Sequence, residues 1–219
     1  MAAILLGGYD TFAMDVYWIG GGSGAGKTTI ARRLAGRHGM RVYDTDAVMG
    51  DHARRSDSAT SPQLAAFLAM SMDERWLRPP PVMLETFHWF RGEAFDLILD
   101  DLAALPDGPP VIAEGFRLLP GLVPEPARAV WLLPTPQFRR AAFDHRGSTW
   151  QIAAKTSDPE KALAGLLERD RLFTERLRAD TRERGLKTID VEPGLTEDDL
   201  TALVEEALFS RITDTMRRP

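Results

Sequence analysis

The segment 18–35, WIGGGSGAGKTTIARRLA, concentrates glycine between a short apolar run and an amphipathic run. Glycine costs backbone entropy, so several glycines together indicate backbone conformations or close approaches that a Cβ would block. The pattern Gly-x4-Gly-Lys-Thr spans 21–28, after a predicted strand and before a predicted helix. In that context successive backbone N–H groups point at phosphate oxygens. The segment therefore predicts a phosphate-binding loop.

The positions of this loop have separate predicted roles. Lys27 is expected to hold the β- and γ-phosphates as a point charge and to act in catalysis, and the Thr28 hydroxyl is expected to ligate Mg²⁺. The following helix adds the positive end of its dipole. The alternative is a flexible glycine linker that contains a lysine. The residues predicted to bind the nucleotide are Gly21, Gly22, Ser23, Gly24, Ala25, Gly26, Lys27, Thr28 and Thr29.

Short apolar runs alternate with longer amphipathic runs along the 219 residues. This alternation predicts β–α units around a parallel sheet, within one domain over 1–219. Two segments interrupt it, 51–82 and 134–156, and both are expected to lie above the sheet, where active-site loops occur. Strands are predicted over 16–19, 41–44, 110–115, 128–133 and 186–191. Helices are predicted over 28–38, 84–104, 158–184 and 200–209.

Composition excludes several classes of function. The chain has no cysteine, which excludes disulfides, thiolate metal sites and a cysteine nucleophile, and which fits a cytoplasmic location. The net charge of −5 gives no basic field that would recruit nucleic acid. The apolar run near the first residue is too short to span a membrane, so no membrane partner is expected. The oligomeric state stays open.

Three classes of nucleotide-using protein share such a loop. Guanine-specific switch proteins read the base with an Asn-Lys-x-Asp element, and this chain contains no asparagine. Large ring-forming ATPases carry an apolar strand that ends in Asp-Glu, whereas the candidate strand here ends VIAEG at 111–115. Small phosphotransferases remain, and the other motifs favour them.

Carboxylates follow the second and third predicted strands. Asp44 and Asp46 lie two residues apart, so on an extended segment both project toward the phosphate loop. Asp44 is predicted to lie near the metal, and Asp46 to bind the acceptor and take the proton from its hydroxyl. A helix N-cap is the alternative for Asp46. Glu114 is predicted to hold the metal through water or to bind an acceptor hydroxyl, with a solvated strand end as the alternative.

These motifs resemble the nucleoside-monophosphate-kinase-like branch of P-loop proteins, which includes shikimate kinase, gluconate kinase and chloramphenicol phosphotransferase. The resemblance rests on GGGSGAGKTT at 20–29, YDTD at 43–46, VIAEG at 111–115 and the arginine-bearing segments after the fourth strand. It implies an α/β P-loop NTPase fold, a three-layer sandwich with a five-stranded parallel sheet of order 2-3-1-4-5. It also implies an acceptor lobe after strand two, a lid after strand four, and ATP and Mg²⁺ as co-substrates.

Arginines after the fourth strand are candidates to close over the transferring phosphoryl group, because fixed positive charge does much of the catalysis in such transfers. Arg139 and Arg169 are the leading catalytic candidates, since they lie near the ends of the predicted lid at 134–156. A solvated helix face with local ion pairs, for example to Asp170, is the alternative.

The acceptor is expected to bind among aromatic and cationic residues of the segment 52–91. Arg54 and Arg55 are predicted to contact its oxygens, while Phe87 and Trp89 either cover its apolar faces or pack in the core. The sequence thus predicts a Mg·ATP-dependent kinase that acts on a hydroxyl of a small metabolite or antibiotic, with a phosphate group as the alternative acceptor. A nucleotide-binding regulatory module, or a slow NTPase without a small-molecule acceptor, is the alternative.

Overall fold

The computed structural model describes residues 15–124, 128–146 and 152–210, with the backbone alone at 143–146. Five parallel strands form one sheet in the order β2-β3-β1-β4-β5, which confirms the predicted fold class. All five predicted strands are present, with ends shifted by at most two residues. They are β1 (Val16–Gly21), β2 (Arg41–Asp44), β3 (Val111–Glu114), β4 (Arg128–Pro134) and β5 (Thr188–Val191).

Helices connect the strands and cover both faces of the sheet. They are α1 (Lys27–His38), α2 (Met49–Arg55), α3 (Pro62–Ala69), α4 (Met72–Trp76), α5 (Pro80–Thr86), α6 (Asp96–Ala103), α7 (Pro136–Arg146), α8 (Pro159–Glu183) and α9 (Glu197–Phe209). Short 3₁₀ turns occupy His88–Arg91 and Ala153–Lys155. The helices predicted after β1, before β5 and after β5 are therefore confirmed, as α1, α8 and α9. None of the helices in the described ranges is both long and apolar enough to cross a lipid bilayer.

The core has two layers, one on each face of the sheet. Along β1, Trp18 packs on the face covered by α6 and α8, while Ile19 packs on the face covered by α1 and α9. Such burial on both sides is the usual state of a parallel sheet and explains why its strands are continuous apolar runs. Helices, sheet and helices together form a three-layer sandwich. The carboxyl-terminal ends of its strands meet at one edge of the sheet.

The helix predicted over 84–104 is wrong as a single element. The chain leaves helical geometry after Thr86, and α6 begins only at Asp96. Gly92 and Ala94 have φ values of 79° and 56°, in the left-handed region, which a right-handed helix cannot contain. Between them, the Glu93 carboxylate accepts hydrogen bonds from backbone N–H groups at the start of α3. A tertiary contact thus interrupts an apparently helical pattern.

The two segments that interrupt the alternation differ in structure. The segment 51–82 forms a string of short helices, and its Phe67 and Trp76 pack with Leu166 of α8 in a small apolar cluster. The segment 134–156 contains α7 and the second 3₁₀ turn, while residues 147–151 lie outside the described ranges. Their roles as acceptor lobe and lid stay predictions.

Replacing either of two glycines near the end of α1 by alanine should change the stability of the protein in opposite directions. Gly36 lies within the helix, and a Cβ there would meet nothing within 4 Å, so Gly36→Ala should stabilise the protein by about 0.5–1 kcal/mol. Gly39 ends the helix at φ 64°, so Gly39→Ala should cost about 1–2 kcal/mol although the space is equally open. Urea unfolding of both variants measures the difference, and equal signs would contradict the assigned helix end.

Candidate active site

The glycine loop is built by close contact with β4. Gly21 has φ 128°, and a Cβ there would lie 2.1 Å from the Leu132 carbonyl oxygen. The next residue, Gly22, donates its N–H to that same oxygen at 2.9 Å. Gly24 has φ 79° and lies against the Arg139 side chain, where a Cβ would come within 3.0 Å of Nη1. These positions keep open a cradle that other residue types would fill.

Lys27 closes the floor of this cradle. Its side chain is buried, and Nζ donates a hydrogen bond to the Gly22 carbonyl oxygen at 2.8 Å, so the ammonium lies under the loop. A cavity of about 90 Å³ opens beside it. Its lining joins the predicted phosphate loop to the predicted base: Ser23, Gly24, Ala25, Gly26, Lys27, Thr28, Thr29 and Asp46. A polar recess lined by the glycine loop and an ammonium group fits a polyphosphate.

Thr28 and Glu114 meet at the edge of the cradle. The Thr28 hydroxyl donates to Glu114 Oε1 at 2.7 Å, while Glu114 Oε2 is buried without a hydrogen-bond partner among the described residues. Burial raises the pKa of Glu114, as do the nearby carboxylates of Asp44 and Asp46, whereas Thr28 and Lys27 oppose the rise. A buried carboxylate oxygen without a donor suits a cation or its water ligand. These residues therefore fit Mg²⁺ bound together with a phosphate.

The carboxylates do not form a metal site without the nucleotide. Among the described residues, no group of three histidine, aspartate or glutamate side chains is arranged to hold a metal ion. Asp44 lies level with Glu114 in the sheet, since the two are paired across β2 and β3. Its Oδ1 accepts from the backbone N–H groups of Asp46 and Ala47 at 2.9 and 3.1 Å, so one oxygen shapes the turn after β2. Asp44 thus has a structural role that its spacing did not predict.

Asp46 lines the cavity. Desolvation by the surrounding protein raises the pKa of Asp46, and the negative charge of Asp44 raises it further. The positive charges of Lys27 and Arg117 oppose this rise. The N-cap alternative is wrong, because α2 begins at Met49 and no side chain caps it. Asp46 is therefore a carboxylate beside a phosphate cradle and free of any helix-capping role.

Arg139 and Arg169 converge on one buried carboxylate. Each donates to Asp170 at 2.7 Å, from α7 and α8 respectively, and all three side chains are buried. Burial alone would raise the pKa of Asp170, but the two guanidinium groups lower it below its ordinary value. Arg139 thus places its guanidinium against Gly24 of the loop. These two arginines are therefore not on a solvated face, whereas the local ion pair to Asp170 that the alternative named is present for Arg169.

Arg54 and Arg55 lie outside the phosphate cavity. Both pair with Asp51 on their own helix α2, at 3.1 and 3.2 Å, and Arg55 also pairs with Asp101 of α6 at 2.6 Å. Their guanidinium groups are solvent-exposed and directed along the outside of α2. The structure therefore does not bring these two predicted acceptor-binding residues to the candidate base.

Sequence reasoning missed buried polar residues behind Asp46. Arg117 is 2% exposed and lies over the Trp89 ring at 4.1 Å, so Trp89 packs in the interior rather than lining an open pocket. The available signal was position, since Arg117 follows the end of β3 at the same edge as the phosphate loop. His88 is also buried, and burial together with the charges of Arg117, Arg75 and Arg169 lowers its pKa to about 3.

One family model matches a part of the chain that includes the residues lining the phosphate cavity. The family model for shikimate kinase matches residues 23–60, from the phosphate loop through α2, which confirms the predicted resemblance to P-loop small-molecule kinases over that segment. No curated protein matches the chain.

Three solved structures are similar at low identity. An uncharacterized protein from Eubacterium ventriosum ATCC 27560 is 14% identical, with 90% of this chain and 99% of that chain covered and a TM-score of 0.48. A gluconokinase from Sinorhizobium meliloti 1021 is 17% identical, with 90% of each chain covered and a TM-score of 0.45. A shikimate kinase from Acinetobacter baumannii, in complex with shikimate, is 16% identical, with 93% and 97% covered and a TM-score of 0.49.

The buried His88 predicts an acid-dependent loss of stability. Its folded-state pKa lies below the ordinary value of 6.5, so the unfolded chain takes up a proton that the folded chain rejects as pH falls from 6.5 toward 3. Between about pH 7.5 and about pH 5, the wild type should lose roughly 2 kcal/mol more unfolding free energy than His88→Phe. Urea unfolding at both pH values measures this, and identical losses in the two proteins would refute the assignment.

Proposed function

We propose that this protein is a Mg·ATP-dependent kinase that transfers a phosphoryl group to a hydroxyl of a small metabolite or antibiotic, in the cytoplasm. The observation that carries the proposal is the shared cavity of the glycine loop, Lys27 and Asp46. It joins a cradle for the phosphoryl donor to a carboxylate placed to receive the acceptor's proton. The family-model match over 23–60 supports the same reading.

The phosphate side of the site binds and orients the donor. Loop N–H groups from Gly21 to Thr28 and the Lys27 ammonium hold the triphosphate and neutralise its charge. Mg²⁺, when bound, supplies further positive charge on the phosphate oxygens. Thr28, Glu114 and the remaining oxygen of Asp44 are the residues that would hold it, directly or through water.

The acceptor side of the site supplies the base. Asp46 accepts the proton of the acceptor hydroxyl as that oxygen bonds to the γ-phosphorus and the bond to the β,γ-bridging oxygen breaks, leaving ADP. A raised pKa makes this carboxylate a better proton acceptor than an ordinary aspartate. The segment 51–82, as the acceptor lobe, would place the hydroxyl beside it.

The Arg139–Asp170–Arg169 cluster supplies charge to the transfer. Negative charge spreads over the phosphoryl oxygens in such a transition state, and preorganised cations stabilise it without reorganisation. The Arg169 guanidinium lies within 5.3 Å of the ring centres of Trp76, Phe87 and Phe90, so it would act on the phosphates through Asp170 and Arg139 rather than by direct contact. With Arg139 against Gly24, the segment 134–156 would act as a lid that brings positive charge to the phosphates.

Removing the Lys27 charge should abolish transfer without unfolding the protein. Lys27→Ala should reduce phosphoryl transfer at least about 100-fold, because a preorganised cation on the phosphates is lost. Lys161→Ala, at an exposed position of α8, is the matched control and should behave as the wild type. The measurement is transfer from γ-labelled ATP to a panel of hydroxylated metabolites and antibiotics, with circular dichroism as the folding check. Full transfer by Lys27→Ala would overturn the proposal.

Asp46→Asn should separate chemistry from nucleotide binding. The amide cannot accept the proton, so acceptor-dependent transfer should fall about 10²–10⁴-fold, while the affinity for Mg·ATP measured by calorimetry stays within about threefold. Asp107→Asn, in an exposed loop, is the control. ATP consumption that is indifferent to both the acceptor panel and Asp46→Asn would instead identify a slow NTPase. Tight binding without any turnover would favour the regulatory module.

A further inference from the structure

A buried polar network lies directly behind Asp46 and takes no part in the chemistry proposed above. It joins four parts of the fold that are far apart in sequence: β2, α2, α6 and the turn after β3. Its members are Tyr43, His52, Asp101 and Arg117. His52 has no exposed surface and Arg117 is almost fully buried. Burying a guanidinium or an imidazole costs free energy unless the group is hydrogen-bonded or paired with an opposite charge.

Arg117 is held from several directions. Nη1 donates to His52 Nδ1 at 2.9 Å and to the Thr45 carbonyl oxygen at 3.4 Å, and Nη2 donates to the Ala94 carbonyl oxygen at 3.1 Å. Its guanidinium also lies over the Trp89 ring at 4.1 Å. A planar group fixed by hydrogen bonds in its plane and a ring above it has one orientation. The hydrogen bond to Thr45 ties this fixed guanidinium to the residue immediately before Asp46.

The partners of His52 define its tautomer. Arg117 can only donate, so Nδ1 must accept and therefore carries no proton. The proton of the neutral ring is on Nε2, which donates to Asp101 Oδ2 at 2.8 Å. His52 is thus a rigid link with an acceptor at one end and a donor at the other.

Asp101 anchors the far end of the network. It accepts from His52, from the Tyr43 hydroxyl at 2.8 Å and from Arg55 at 2.6 Å. Burial opposes its charge, but these hydrogen bonds outweigh that effect and lower its pKa to about 2. Asp101 therefore stays ionised and gives Arg55, which the sequence assigned to the acceptor, a different role on the outer side of the network.

The network holds the segment that carries the candidate base. Tyr43 is tied to Asp101 through its hydroxyl, and Thr45 is tied to Arg117 through its carbonyl. Thr45 also donates its N–H to the Glu114 carbonyl oxygen at 3.0 Å and packs so closely on Gly115 that a Cβ there would lie 1.8 Å from Thr45 Oγ1. Alternate residues are thus fixed to the protein interior, and Asp46 follows the last of them.

We infer that Arg117 is a positioning residue that sets Asp46 against the phosphate cradle, and that His52 acts only by holding Arg117 in place. This rests on the proposed function insofar as Asp46 is the base.

Two substitutions of His52 separate its two bonds. His52→Asn places an amide oxygen near the position of Nδ1, so it keeps an acceptor for Arg117 and loses Asp101. His52→Gln places an amide nitrogen near the position of Nε2, so it keeps a donor for Asp101 and loses the acceptor for Arg117. Arg117→Met removes the guanidinium, and Arg117→Lys keeps the charge without the fork.

The first readout needs no acceptor and no activity. Amide hydrogen exchange at single-residue resolution reports the backbone N–H groups of Asp46 and Ala47, which bond to Asp44 Oδ1. We expect exchange at least about tenfold faster at these two amides in Arg117→Met, Arg117→Lys and His52→Gln, near-wild-type exchange in His52→Asn, and no change in the amides of β1. Unchanged exchange in Arg117→Met, or equal acceleration in His52→Asn and His52→Gln, would overturn the inference.

The second readout connects the network to turnover. With the acceptor found by the metabolite panel, kcat should fall at least about tenfold in His52→Gln and Arg117→Met, while calorimetric affinity for Mg·ATP is unchanged. The double variant His52→Gln/Arg117→Met should be no worse than Arg117→Met alone, because His52 has no other route to Asp46. Additive losses would overturn the inference. Absence of turnover in the wild type would refute the proposed kinase and leave the exchange result to decide the positioning role.

Discussion

The contact of the glycine loop with β4 sets the geometry on which the rest of the site depends. The Leu132 carbonyl oxygen receives the Gly22 N–H and lies where a Cβ of Gly21 would be, so the backbone leaves β1 in one direction. That direction starts α1 at Lys27 and brings Thr28 within hydrogen-bond distance of Glu114 on β3. Since parallel strands end at a common edge, the turns after β2 and β3 then face the same cradle.

Charge around this cradle is divided between its two sides. Three carboxylates, Asp44, Asp46 and Glu114, lie at the ends of β2 and β3, and burial raises the pKa of the latter two. Cations lie across from them in Lys27 and in the pair of arginines that share Asp170. In the proposed function, a divalent cation would bind on the carboxylate side and a triphosphate on the cationic side.

Local patterns predicted the strands and the glycine loop because apolar runs and glycine spacing can be read from neighbouring residues, whereas the strand order came from the family resemblance. The errors come from tertiary contacts. Nothing near Ala94 in sequence indicates its left-handed backbone, so the break in 84–104 was missed. The direction of Arg54 and Arg55 depends on how α2 packs, which spacing does not encode. Arg117 and His52 are single residues, 65 positions apart, and only the folded sheet edge brings them together.

The central claim is that the turn over 21–28 captures a nucleoside triphosphate, and direct calorimetry tests it most simply. The intact protein is titrated with Mg·ATP and, separately, with Mg·GTP at millimolar magnesium. We expect a saturable one-to-one binding heat with at least one of them. The same buffer without nucleotide, titrated as the control, should give no such heat. No binding heat with either nucleotide would contradict the claim and remove the basis of the site.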